Sequence, residues 1–294
     1  MTGAPATGRR STPRPTFDGP AIVRHVETAH HVWGDGDAGF VTDRVYVSSD
    51  QLHVLEFQLA TGGGFRHSPT NQTVFAGDVV YAVLEGTLVI ADPRHGEVER
   101  VPAGSAVLFR RDTWHHAFNP GLGTVRVLEF FSPPPSRGTA SDYAKLQHPP
   151  ETVHYRDGRY DGRWPFARAE REAERRLWLV DDTTALLSFA GDRASHLLGT
   201  LVDTEYLTVR SGRVEAGHVE DFRPVDDETV LVVTSGRLWV DVHRPDAGDY
   251  TVHCLAPGDA AYLPVGCLAR VLVRDGDPAT YLAGSGRVPD GWRP

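Results

Sequence analysis

Two segments of the chain share one pattern, VVYAVLEGTLVIAD at Val79–Asp92 and TVLVVTSGRLWVDV at Thr229–Val242. Each consists of two apolar runs rich in β-branched residues, separated by a turn that contains a glycine, Gly86 or Gly236. This pattern is typical of a β-hairpin. Because the same hairpin occurs in each half of the chain, the sequence predicts two copies of one all-β domain.

The sequences on either side of the two hairpins support the duplication. Before them, LATG ending at Gly62 matches VEAG ending at Gly217, and these glycines are 155 positions apart. After them, PAGSAVLF around Gly104 matches APGDAAYL around Gly258, 154 positions apart. The order of features is kept while the spacing drifts, as expected when two copies of a domain acquire loops of different length. Short strands and frequent turns favour a sandwich or jelly roll.

The composition of the 294-residue chain excludes several classes of protein. Its 30 Gly and 21 Pro agree with many tight turns, and its net charge of −9 does not supply the basic face of a nucleic-acid-binding domain. We find no apolar run long enough to span a membrane, and the polar start does not predict a secretory signal. Since the chain has only two cysteines, we expect a reducing, cytoplasmic setting.

The predicted organisation has four parts. In chain order these are an N-terminal arm with a first strand at 1–40, a first β domain at 41–131, a linker with a charged helix and a strand leading onward at 132–194, and a second β domain at 195–294. In the linker helix we expect Glu172 to pair with Arg176. We also expect a homodimer, because open sheet edges need cover, and the segment Thr12–Arg24 is a candidate arm for this purpose.

Each of the two repeats has a predicted hairpin that ends in V-L-E-G or its equivalent. The hairpin is followed by G-(S/D)-A and then by a segment that leads to a histidine position. Two repeats of this kind resemble the cupin superfamily. The duplicated arrangement resembles a bicupin, over about residues 41–131 and 195–285. The resemblance implies two tandem cupin-type jelly-roll domains, each a β-sandwich or barrel with a cup-shaped interior, joined by a partly helical linker. Cupins include dioxygenases, decarboxylases, isomerases, cyclases, storage proteins and transcription factors, so the fold alone does not determine function.

Metal-binding cupins hold a divalent ion with two histidines one residue apart, a glutamate on the next strand and a later histidine. In the first domain, the segment SAVLFRRDTWHHAFNP matches the later motif at His115 and Asn119. His67 is the one histidine near the early pair, and Val79 stands where the glutamate is expected. Asp78 is one position earlier, so its side chain is expected on the face of the strand away from the cup unless a β-bulge turns it inward. The resemblance therefore implies at most one divalent metal (Fe, Mn, Zn or Ni) held by His67 and His115; the alternative is that these histidines are structural.

The second domain departs further from the family pattern. Its later histidine position is Ala269, and no histidine follows His218 before the hairpin. Glu228 stands at the position that corresponds to Asp78, so its side chain is also expected to face away from the cup. We predict that three ligands do not assemble here and that this domain binds no metal. Cys267 is expected to be a packing residue.

The first cup offers acid–base chemistry if no metal is bound. The candidates for catalysis are His67, Tyr81, Arg110, His115 and Glu129, and those for substrate binding are Trp114, Asn119 and Asp78. Glu129 alternates with Val125 and Val127, so we expect it to face the apolar interior with a raised pKa. The alternative is that Glu129 pairs with Arg110 or Arg126.

The function predicted from these residues is that of a bicupin enzyme acting on a small polar organic molecule in the first cup. Without a metal, the expected reaction is an isomerisation, epimerisation, dehydration or cyclisation by proton transfer. The alternatives are a metal-dependent cupin dioxygenase and a non-catalytic protein that binds a ligand or acts as a scaffold. We find no Ser-His-Asp frame, Walker loop or dinucleotide fingerprint. No nucleic-acid or membrane partner is expected.

Overall fold

A computed structural model describes residues 11–191, 193–274 and 276–294 of the chain. Most of the secondary structure is antiparallel β, as the sequence predicts. The first ten residues of the predicted N-terminal arm lie outside the described residues.

The strands follow one another through both halves of the chain. They are β1 (Ala21–Val23), β2 (Ala29–Asp35), β3 (Gly39–Ser48), β4 (His53–Leu59), β5 (Gly64–Phe65), β6 (Asp78–Glu85), β7 (Thr87–Asp92), β8 (Glu97–Pro102), β9 (Ala106–Phe109), β10 (His116–Phe118), β11 (Val125–Ser132), β12 (Leu177–Val180), β13 (Leu186–Phe189), β14 (His196–Asp203), β15 (Leu207–Val214), β16 (Arg223–Pro224), β17 (Glu228–Ser235), β18 (Leu238–Arg244), β19 (Asp249–Leu255), β20 (Ala260–Leu263), β21 (Leu268–Leu272) and β22 (Ala279–Gly286). The segments predicted to be hairpins form β6 and β7, and β17 and β18, and the chain turns between them at Gly86 and Gly236, which have a positive φ. The hairpin prediction is wrong, because the two strands of each segment lie in different sheets and do not pair. The hydrogen-bonded hairpins are instead β7 with β8 and β18 with β19.

Within the described ranges, helical structure is confined to short segments. These are the helices α1 (Ser141–Ala144) and α2 (Arg168–Ala173) and the 3₁₀ turns His25–Glu27, Pro135–Arg137 and Gly158–Tyr160. Across the described ranges, no helix has the length and apolar character needed to cross a membrane. The linker helix α2 forms where the charged segment predicts it, but Glu172 pairs with Arg168 at 2.7 Å rather than with Arg176.

The two halves have the same sheet topology. In the first, a large sheet of order β12-β9-β6-β11-β4-β3-β2 accompanies a small sheet of order β5-β10-β7-β8. In the second, the orders are β1-β20-β17-β22-β15-β14-β13 and β16-β21-β18-β19. In the parts of the chain that are described, neither pair of sheets closes into a hydrogen-bonded barrel, so each domain is a sandwich. We call the apolar space between a large and a small sheet the first or the second cup.

Each domain covers an edge of the other with a strand. β1, which precedes the first domain, pairs with β20 of the second domain, and β12, which precedes the second domain, pairs with β9 of the first. Arg24 fixes β1 through a 2.7 Å contact with Asp259. The expectation that the segment Thr12–Arg24 is free to cover a partner molecule is therefore wrong, because its strand already lies on an edge within the same chain.

The two large sheets pack face to face and form a third apolar layer between the two cups. Phe130 of β11 is fully buried there. It lies against Gly284 of β22, where a Cβ atom would be 2.2 Å from the Phe130 ring. This glycine allows the two sheets to approach closely, since any larger residue would displace the ring.

We expect Phe130→Ala to lower the free energy of unfolding by about 3–5 kcal/mol, because it leaves a cavity in the layer that joins the domains. The matched control is Phe40→Ala, at a strand position whose side chain is 62% exposed, with an expected change within about 0.5 kcal/mol. Urea unfolding of both variants measures the difference, and equal losses would contradict this account of the interface.

Candidate functional site

His115 lies inside the first cup, in the loop between β9 and β10. Its ring packs against Phe109 and Phe75, with centroids 4.3 and 5.0 Å apart, and its Nε2 atom is 3.3 Å from the Tyr81 hydroxyl. Burial lowers the pKa of His115 to about 4. The ring is therefore neutral near pH 7, and its Nε2 atom can accept a hydrogen bond from the Tyr81 hydroxyl or from a ligand.

Glu129 also faces the first cup, as its alternation with valines predicts. It stands opposite Tyr81 in the register of β11 with β6. The pKa of Glu129 is raised to about 8, first by burial and then by the nearby Asp43 carboxylate, while a hydrogen bond with Tyr81 opposes both effects. The alternative pairing with arginine is wrong, because Arg126 bonds Glu56 and Arg110 bonds Asp78.

Asp43 and His31 are two further polar side chains near the buried group of His115, Tyr81 and Glu129. Neither was predicted from the sequence. The His31 Nδ1 atom is 3.1 Å from an Asp43 carboxylate oxygen, and burial raises the pKa of Asp43. A signal was present, since Asp43 alternates with the buried Val41 and Val45 along β3 and must face the same cup.

His67 and His115 do not form the predicted metal pair. His67 Nδ1 is 2.7 Å from His116 Nε2, whereas the ring nitrogens of His115 bond the Tyr81 hydroxyl and the Thr113 carbonyl. His115 and His116 are consecutive in an extended segment and point to opposite sides, as expected. His67 follows His116 to the outer side of the small sheet, which separates it from the cup.

Asp78 and Arg110 lie at the boundary between the domains rather than in the cup. Asp78 has the parity of the interface residues Val80 and Ala82, so no bulge re-aims it. Arg110 bonds Asp78 at 3.0 Å and also pairs with Glu205 of the second domain. The structure thus gives this pair a bridging position, and their predicted roles in the cup are not supported.

The side chains of Trp114 and Asn119 also make contacts that stabilise the fold. Trp114 is 1% exposed and packs with Val74 and Ala144 in a small separate cluster. The Asn119 amide donates to the carbonyl oxygens of Leu59, Ala60 and Gly123 and so fixes the loop after β10. Neither side chain points toward Glu129 and Tyr81, which leaves the predicted substrate-binding set dispersed.

The second cup contains a cluster that the sequence reasoning excluded. His196 of β14, together with His218 and Glu220 of the segment after β15, places one potential ligand atom from each residue within 4.8 Å of the others. His196 Nδ1 and His218 Nε2 approach the same Glu220 oxygen at 3.4 and 3.6 Å. The prediction that three ligands cannot assemble here is wrong, because it considered only residues near the usual motif positions and His196 comes from a neighbouring strand.

The remaining polar atoms of this cluster are held by other groups. His196 Nε2 is 2.8 Å from the Tyr281 hydroxyl, and His218 Nδ1 is 2.8 Å from Ser195 Oγ. The second Glu220 oxygen accepts a hydrogen bond from the Val271 amide at 3.2 Å. Each of the three side chains is thus held by a hydrogen bond on the side away from the centre of the cluster. One atom of each side chain that could ligate a metal faces the centre.

Gly212 makes room for this arrangement on β15. A Cβ atom at Gly212 would be 2.2 Å from the Tyr281 ring. Without that atom, the ring lies across β15 and its hydroxyl reaches His196. The glycine and the tyrosine therefore act together to fix the His196 ring.

The protonation states in the cluster are those that a metal ligand needs. Burial lowers the pKa of His218, which keeps its ring neutral. Burial alone would raise the pKa of Glu220, but hydrogen bonds from His196 and the Val271 amide hold it below its usual value. A neutral imidazole and a charged carboxylate are the ligating forms of these groups.

Each cup lacks the polar residues of the other. At the 155-residue offset of Gly62 and Gly217, positions His196, His218 and Glu220 correspond to Val41, Gly63 and Phe65. At the 154-residue offset of Gly104 and Gly258, positions His115 and Glu129 correspond to Ala269 and Ala283. The duplication has therefore kept the fold in both halves and placed different chemistry in each.

Comparison with solved structures agrees with this architecture. The putative glyoxylate-induced protein from Pseudomonas aeruginosa has a TM-score of 0.64 and 14% identity, covering 98% of each chain. Cupin proteins are among the matched structures. The chain has a bicupin fold. No family model and no curated protein matches its sequence.

Two other bicupin-like matches show how little this fold says about function. Streptomyces albus HEPD, solved with 2-hydroxyethylphosphonate and Fe(II) bound, has a TM-score of 0.63 and 13% identity over 93% of this chain and 80% of that chain. Vicilin from hazelnut (Corylus avellana) has a TM-score of 0.58 and 12% identity over 90% and 84%. The fold thus occurs in enzymes and in storage globulins, so function must be argued from the two cups.

The buried Glu129 gives a testable pH dependence. Its folded-state pKa of about 8 lies above that of an unfolded glutamate, so the native state binds the proton more tightly. This contribution is fully present below about pH 4.5 and is lost as the pH rises toward 8. Between pH 5 and pH 8, the wild-type protein should lose on the order of 4 kcal/mol of stability relative to Glu129→Gln.

Urea unfolding at several pH values measures this difference, with Glu151→Gln at an exposed linker position as control. Parallel stability profiles for the wild type and Glu129→Gln would show that Glu129 is not a buried, protonated acid.

Proposed function

We propose that this protein is a metal-dependent bicupin enzyme whose ion is held in the second cup by His196, His218 and Glu220. The observation that carries the proposal is the approach of two imidazole nitrogens to one carboxylate oxygen at 3.4 and 3.6 Å. Ligands about 2.1 Å from a tetrahedral ion are about 3.4 Å from one another. The two distances to Glu220 match this spacing, and all three potential ligand atoms lie within 4.8 Å of one another.

The fit of these residues to a metal is supported by an unsatisfied atom. His218 Nε2 is buried, and among the described residues its nearest polar contact is the Glu220 oxygen at 3.6 Å, which is beyond hydrogen-bond distance. A buried polar atom without a partner costs about 1–3 kcal/mol. A cation between the two rings and the carboxylate would use this lone pair, whereas a purely structural hydrogen-bond network would leave it unused.

Two imidazoles and one carboxylate suit Fe, Mn, Zn or Ni, and three protein ligands leave positions for a substrate. When bound, such an ion acts as a Lewis acid toward a coordinated substrate oxygen and, if it is iron, also supports oxidation. If His196 Nδ1 held the ion, its Nε2 would carry the proton and donate a hydrogen bond to the Tyr281 hydroxyl. In the same way, His218 Nδ1 would donate a hydrogen bond to the Ser195 hydroxyl, so the chain would fix both rings before a substrate arrives.

Metal titration tests this assignment. Chelator-treated wild-type protein should bind one equivalent of Zn²⁺ in the calorimeter, and His218→Ala and Glu220→Gln should lose this site. Tyr281→Phe should bind 10–100-fold more weakly, because the partner that orients His196 is gone. His115→Ala, which removes a buried histidine from the first cup, is the control and should keep one equivalent.

Equal binding by wild type and His218→Ala would contradict the proposal, provided that circular dichroism shows both proteins to be folded. Loss of the site in His115→Ala alone would instead place the metal in the first cup.

A second candidate function is proton-transfer catalysis in the first cup. It is favoured by the buried carboxyl of Glu129, whose pKa of about 8 lies near working pH, beside the Tyr81 hydroxyl and the neutral His115. The aromatic rings around these groups fill much of the space that a substrate would need, and for this reason we place this function second. Turnover that disappears in His115→Ala while the metal stays bound would favour it. A homodimer and a cytoplasmic setting remain predictions.

A further inference from the structure

We propose that Arg223 binds a carboxylate of the substrate at the mouth of the second cup, so that the substrate is a small organic acid. This inference rests on the proposed metal site and adds a substrate class to it.

Arg223 lies next to the ligand set. Its Nη2 atom is 3.8 Å from the Glu220 oxygen that both histidines approach. The side chain is half-exposed, whereas the Glu220 side chain is 9% exposed, so the guanidinium lies between the buried cluster and solvent.

The guanidinium of Arg223 is available for a ligand. Within the described residues it makes no hydrogen bond, and the contact with Glu220 is beyond hydrogen-bond distance. Arg270 on the neighbouring strand is different, because it bonds Asp241 at 2.8 Å and stacks on Phe222. A free guanidinium presents two parallel N–H donors, which match a planar carboxylate.

Binding of an ion would increase this preference for an anion. Glu220 offsets the charge of Arg223 while its carboxylate is free. Once the carboxylate neutralises part of a divalent cation, that cation and Arg223 together leave an excess of positive charge at the mouth.

The first cup serves as an internal comparison. At the 155-residue offset, Arg223 corresponds to Ser68. The cup without the His196, His218 and Glu220 cluster thus has no arginine at this position. Arg223 and the cluster occur in the same half of the chain, which supports a common role.

A spectroscopic titration tests the inference in the full-length protein. The protein is loaded with Co²⁺, the bound metal is quantified, and glycolate is added while the visible spectrum of the cobalt is recorded. Ethylene glycol, which resembles glycolate without the carboxylate, is the comparison ligand. We expect glycolate to bind with at least tenfold higher affinity than ethylene glycol, and Arg223→Gln to weaken glycolate at least tenfold.

The control variant is Arg213→Gln, which removes an exposed arginine that pairs with Glu215 on β15, and it should bind glycolate like the wild type. Arg223→Lys should retain part of the affinity, because it keeps the charge and loses the bidentate geometry. Equal glycolate affinity in wild type and Arg223→Gln would overturn the inference while leaving the metal site intact. Failure of the wild type to bind Co²⁺ would overturn the proposed function itself, and this inference with it.

Discussion

The apolar contact between the two large sheets is the interaction on which the rest of the structure depends. Each sheet uses one face for this contact and the other for its own cup. Because side chains alternate along a strand, the parity of a residue decides whether it stabilises the interface or faces a cup. Asp78, for example, lies on the interface side of its sheet, whereas Glu129 faces the first cup.

The exchanged strands β1 and β12 make the two domains one unit. Each protects a sheet edge that would otherwise expose unpaired backbone groups. The rigid pair of sandwiches can then hold buried polar groups in fixed positions. In the first cup these groups are Tyr81, His115 and Glu129, surrounded by aromatic rings. In the second cup they are His196, His218 and Glu220, whose side chains are also buried.

The fold was predictable from sequence because it depends on local alternation and turns. The strands on either side of Gly86 and Gly236, and the inward position of Glu129, follow from period-two patterns that need no knowledge of distant contacts. The pairing of these strands does not follow from such patterns, because the two strands joined at each glycine belong to different sheets. The cluster in the second cup was not predictable in this way. His196 and His218 meet across two strands and a loop, and their distance depends on the register of β14 with β15 and on the missing side chain at Gly212. The spacing His218-x-Glu220 was the one local signal, and it differs from the family pattern.

The central claim is that the second cup holds a metal ion between His196, His218 and Glu220. An anomalous difference map, from a crystal of the protein grown with one equivalent of Zn²⁺ and measured on both sides of the zinc absorption edge, tests it most directly. The account predicts one strong peak within about 2.0–2.2 Å of His196 Nδ1, His218 Nε2 and a Glu220 oxygen. A peak beside His115 or His67, with none in the second cup, would contradict it.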